Sequence, residues 1–135
     1  MSASDITTRL EEPAIFSECG QYRYFLRRNH SPMISARPLL WGMLNPSRAG
    51  HENNDPTTSV AIGFGKRWGF GIHAAFNAFA LVDTYPSGLL SHPDPVGPET
   101  DTYIKAALRW CDALDGQVIL AWGRHASLMN RADEV

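Results

Sequence analysis

Two carboxamides carry the most telling chemistry in this chain. Asn45 follows the apolar run Leu39-Leu40-Trp41-Gly42-Met43-Leu44, and Asn77 closes a second run, Ile72-His73-Ala74-Ala75-Phe76. A carboxamide donates and accepts at once, which suits the edge of a nucleobase. If both runs are parallel strands, the two groups share one rim of a sheet, where ligands of open α/β sheets bind. Asn45-Pro46-Ser47 also fits plain turn chemistry. Asn77 is harder to assign so simply, because an asparagine ending an apolar strand must find partners or face a cleft.

Other groupings promise less. Gly63, Gly65, Gly69 and Gly71 lack the Gly-x-x-x-x-Gly-Lys-Ser/Thr spacing of a phosphate loop and fall within or after a helix. His51, Glu52 and Asp55, or His92 with Asp94, lack the close pairing of metal ligands, so neither metal nor cofactor is expected. No Gly-x-Ser-x-Gly elbow supports a serine hydrolase, and Ser47 sits behind a proline in a loop. Trp41, Trp68, Trp110 and Trp122 read as packing residues. Gly123, at a strand end, would let backbone approach the cleft closely.

The elements that must position these residues follow from periodicity. Ala14 to Phe16 and Tyr22 to Leu26 read as a hairpin, with Tyr22, Tyr24 and Leu26 alternating against Arg23 and Phe25 as on an edge strand. Pro38 to Leu44, Ile72 to Leu81 and Val118 to Trp122 are apolar runs typical of strands covered on both faces. Asp55-Pro56 predicts a helix start, with Asp55 as N-cap, and Gly69 or Gly71 a stop. That helix carries Val60, Ile62, Phe64 and Trp68. A second helix opens at Pro98-Glu99, places Tyr103, Ala106, Ala107, Trp110 and Leu114 on one face, and ends at Asp115-Gly116. Arg124 to Arg131 reads as a short helical segment. Val82 to Gly97 is a long loop, more often functional than filler. The alternation argues for a parallel sheet with helices on both faces. Three such strands leave an edge to be covered by the hairpin, by a partner or by a further strand.

A chain of 135 residues, 44% apolar and 19% charged, is expected to form one globular domain, residues 1–135, with residues 1–12 as a flexible tail. No apolar run reaches the roughly 20 residues that span a bilayer, and the start lacks a signal peptide's pattern. Cys19 and Cys111 are read as reduced thiols, so the expected compartment is the cytoplasm. A net charge of −2 gives no global pull toward nucleic acid, although basic residues cluster at Arg23, Arg27, Arg28 and Arg37 and at Lys66-Arg67.

Several motifs together resemble the bacterial and phage family called domain of unknown function 1643. They are Tyr22-Arg23-Tyr24-x-Leu26-x-Arg28, Met43-Leu44-Asn45-Pro46-Ser47, Asp55-Pro56-Thr57, Trp68-Gly69-Phe70-Gly71, Asn77-Ala78-Phe79-Ala80, Asp94-Pro95-Val96-Gly97-Pro98 and Ala121-Trp122-Gly123. More distantly, Gly42-Met43-Leu44-Asn45-Pro46 is similar to the first motif of mismatch-specific and single-strand-selective uracil-DNA glycosylases, with one extra residue. Phe76-Asn77-Ala78-Phe79 is similar to their second-strand segment. The resemblance implies a three-layer α/β/α sandwich with a short parallel sheet, lacking the last strand, plus an N-terminal β-hairpin. It further implies that Asn45 orients a water for attack at the sugar C1′. Asn77 would then hold an extruded base, with Pro46, Ser47, Phe79 and Gly123 as further substrate-binding positions.

The late His-Pro motif of those enzymes is absent, so any N-glycosylase-like hydrolase activity is expected to be impaired. The expectation is a glycosylase-like domain binding a nucleobase, a nucleotide or single-stranded DNA. The alternatives are a non-catalytic nucleotide-binding or protein-interaction domain that keeps the fold only, and an enzyme acting on a free nucleoside. No membrane partner is expected, and a homodimer is open as a way to cover the sheet edge.

Overall fold

The computed structural model describes residues 6, 8–46, 50, 52–82 and 93–121. Among these the chain runs β1 (Ala14–Phe16), β2 (Arg23–Arg28), β3 (Pro38–Met43), α1 (Pro56–Arg67), β4 (Ile72–Asn77), α2 (Thr100–Ala113) and β5 (Gln117–Leu120). The five strands form one mixed sheet in the order β1-β2-β4-β3-β5. β3 pairs in parallel with both β4 and β5, whereas β2 pairs antiparallel with β1 and β4. The architecture is therefore α/β. Two expectations are corrected here. The expected parallel sheet is a mixed one, since the hairpin pairs antiparallel and extends the sheet beyond β4, at the edge opposite β5. Nor is β2 an edge strand, because Arg23, Tyr24, Phe25 and Leu26 are all buried between β1 and β4.

Local chemistry explains the helix limits. The Asp55 side chain accepts from the Thr58 amide at 2.7 Å, and Pro56 occupies the first helical position. At the other end, Gly69 N–H donates to Lys66 O and Phe70 N–H donates to Gly65 O. This is a Schellman stop, with Gly69 at φ +85°. The buried face of α1 is made by Thr58, Ala61 and Gly65. Val60, Phe64 and Trp68 face outward, against the expectation that large apolar residues supply a helix's buried face. The small residues win because they let the helix lie close on the sheet.

α2 buries Tyr103, Ile104, Ala107 and Cys111 in one cluster with Leu40, Ala74, Phe76 and Phe79. Leu114, expected on that face, is exposed. Ile6 and Leu10, within the stretch expected to be a loose tail, are buried in this same core. On the other face of the sheet, Ala14, Leu26 and Ala75 form a smaller cluster with Trp41. Gly42 keeps β3 thin between these layers. A Cβ there would lie 2.8 Å from Phe76 Cζ and 3.0 Å from Leu120 Cδ2. No described helix is long and apolar enough to cross a membrane.

Candidate functional site

The ends of β3 and β4 lie side by side. The parallel register pairs Met43 with Asn77. Ala78 N–H then donates to Met43 O at 2.8 Å and Phe79 N–H to Leu44 O at 2.9 Å, so the chains stay side by side past the strand ends. Asn45 and Asn77 consequently line one crevice, together with Arg23, Met43, Pro46, Asp55, Thr57, Thr58 and Ala75. It measures about 40 Å³, room for a water or two and not for a heterocycle. Beside it opens a groove of about 510 Å³ whose walls include Trp41, Leu44, Val60 and Phe64, and which shares Met43, Asn45 and Thr57 with the crevice.

Asn77 is 2% exposed, and neither atom of its carboxamide has a hydrogen-bond partner. Asn45 is half-buried and its amide donates to Pro46 O at 3.4 Å, a long bond. Pro46 is buried in the crevice wall. Phe79 is fully buried in the core cluster and is not among the crevice residues, which corrects its expected place against a ligand. Ser47 and Gly123 lie outside the described residues, as do Trp122, the segment from Arg124 to Arg131 and the middle of the long loop.

Charge in the crevice comes from residues that strand alternation does not point to. Arg23 is 3% exposed. Burial lowers its pKa to about 10, opposed by the Asp55 carboxylate and reinforced by Arg28, so it stays cationic. Its orientation follows from a bulge. Ile15 pairs with Phe25 but Phe16 pairs with Arg23, leaving Tyr24 as the extra residue on β2. Tyr24 and Phe25 both enter the α2-side core, and Arg23 turns to the opposite face. Bulges re-aim side chains in this way next to functional sites. The simple alternation groups Arg23 with Phe25, so the sequence signal for this residue is a charge amid apolar neighbours and nothing more.

Asp55 reaches the crevice because its loop is clasped from β2. Arg28 Nε donates to Asn54 Oδ1 at 2.7 Å, and Nη2 donates to Asn53 O at 2.9 Å and to Gly50 O. Two positions back from Ala75 on β4, His73 is 1% exposed with no partner at either ring nitrogen. Burial, with Arg28, Arg23 and His30 adding to it against Asp55, pushes its pKa down to about 3, so the ring is neutral. The site thus holds neutral carboxamides over one cation and one carboxylate, and it can hold a polar, hydrogen-bonding ligand edge.

No curated protein and no solved structure matches the chain. Residues 23–135 match the family described as "Protein of unknown function (DUF1643)", and over that span, which contains the whole crevice, the chain belongs to that family.

Proposed function

We propose that this chain binds a nucleobase or nucleotide at the carboxyl ends of β3 and β4, on a three-layer scaffold related to the uracil-DNA glycosylases. The observation that carries the reading is Asn77. A buried carboxamide left without partners costs on the order of 1–3 kcal/mol, and such violations persist where a ligand supplies the missing bonds. In this reading the ring lies in the groove against Trp41 and Phe64, with its polar edge toward the crevice. Asn45 meets that edge directly, and Asn77 reaches it by way of the crevice.

Cleavage of an N-glycosidic bond would follow if Asn45 orients a water toward the sugar C1′ while the departing base is held, since such reactions pass through an oxocarbenium-like state. A role in binding without cleavage is favoured by one observation. Neither carboxamide titrates, and the carboxylate lining the crevice, Asp55, is already engaged in capping α1, which makes it a poor acceptor for the proton of an attacking water.

The test is thermal stabilisation and calorimetric titration with a panel of nucleobases, nucleosides and nucleotides. At least one should raise the unfolding temperature of the wild type. Asn77→Ala should lose that response while keeping the native circular dichroism. A variant that binds as well as the wild type removes Asn77 from the site and ends this reading.

A further inference from the structure

We propose that the outer face of α1 continues this site into a stacking platform for single-stranded nucleic acid, so that the ligand is a polynucleotide and not a free nucleotide. The inference rests on the base-binding reading above and adds to it the class of ligand. Val60, Phe64 and Trp68 recur every fourth residue and therefore form one stripe along the helix. They are 60%, 38% and 50% exposed. The Phe64 and Trp68 rings stack at 5.1 Å and 26°, and Phe64 lies 6.4 Å from Trp41. Aromatic rings thus run without a break from the groove wall, beside Asn45, out to the end of the helix.

Single exposed apolar residues are ordinary on a protein surface, whereas a contiguous patch marks an interaction site. Here the occupant is indicated by charge and geometry. α1 contains no Asp or Glu and ends in Lys66 and Arg67. Arg67 is three residues after Phe64 and seven after Val60, so it falls on the stripe itself. From Val60 to Trp68 the helix rises about 12 Å, several times the 3.4 Å spacing of stacked bases. Faces of bases stacked on aromatic rings, with cations following the backbone, are how single strands are held without reading their sequence.

Fluorescence anisotropy with labelled 12-nucleotide DNA and RNA strands, competed by the free mononucleotide, tests the proposal on the full chain. The oligomer should bind at least ten-fold tighter than the mononucleotide. Trp68→Ala should weaken the oligomer about ten-fold and leave mononucleotide affinity unchanged. Arg67→Gln should reduce the slope of log K against log salt by about 0.7. If the mononucleotide binds as tightly as the oligomer, or Trp68→Ala leaves the oligomer unaffected, the platform is refuted while the strand-end site stands. If Trp68→Ala instead splits a dimer in sedimentation without altering oligomer binding, the stripe belongs to a second copy and the proposal fails. Binding of neither ligand by the wild type ends both readings.

Discussion

Met43 and Asn77 face each other across the parallel pairing of β3 and β4, and the chains leave the sheet together through the Ala78–Met43 and Phe79–Leu44 hydrogen bonds. This coupling fixes the spacing of the crevice. Asn77 ends one strand, Asn45 lies two residues beyond the end of the other, and any slip of register would separate them. The rim is stiffened from two sides, by Arg28 holding the loop before α1 and by the Asp55 cap on the helix start.

Asn77→Leu should stabilise the protein and disable it. Removing a buried amide with no partner relieves a desolvation cost on the order of 1 kcal/mol, equivalent to a rise of roughly 3 °C in unfolding temperature for a domain of this size. Differential scanning calorimetry reads the change, and the ligand panel reads the loss of binding. A lower unfolding temperature would mean that the amide is satisfied in the free protein.

His73 makes stability fall with acid. Its folded pKa, about 3, lies below the unfolded value of 6.5. The unfolded chain therefore takes up a proton first, and stability that is complete above pH 6.5 declines as pH drops toward 3. The slope approaches about 1.4 kcal/mol per pH unit, or roughly 2 kcal/mol by pH 5. His30, also lowered by burial and by Lys66, adds to it in the same direction. Urea unfolding at pH 7.5, 6 and 5 should show this trend, with His73→Leu flatter. An equal slope in the variant would assign the effect to other groups.

Gly42→Ala should cost about 1–3 kcal/mol, as overpacking does in a closed core. The added methyl meets Phe76 Cζ at 2.8 Å, and Phe76→Leu removes that atom. The double variant should therefore lose less than the sum of the two single changes in a double-mutant cycle. Additive losses would show that the backbone of β3 shifts instead.

Much of this framework is local and hence readable from residue order. Asp55-Pro56 and Gly69 mark the ends of α1 because cap hydrogen bonds and a left-handed backbone act within a turn or two. The apolar runs mark β3 and β4 because burial on both faces excludes polar side chains. β5 corrects the same expectation: it forms where its apolar run predicts a strand, yet it lies at the sheet edge with Val118 and Leu120 exposed, because burial depends on what packs over a strand and not on its own composition. Which face of α1 lies inward is not local. Thr58, Ala61 and Gly65 are buried because the sheet below leaves no room for the larger Val60, Phe64 and Trp68, and composition alone points the other way.

The residue order by itself determined the strands, the helix boundaries and the presence of an asparagine at each of two strand ends, since these depend on periodicity and on bonds between near neighbours. Only the tertiary structure decided that the hairpin joins the sheet beside β4, that a bulge at Tyr24 turns Arg23 into the crevice, and that Asp55 and His73 are buried on the same side. Those outcomes arise from pairing and packing between segments far apart in the chain, where each choice of partner depends on all the others.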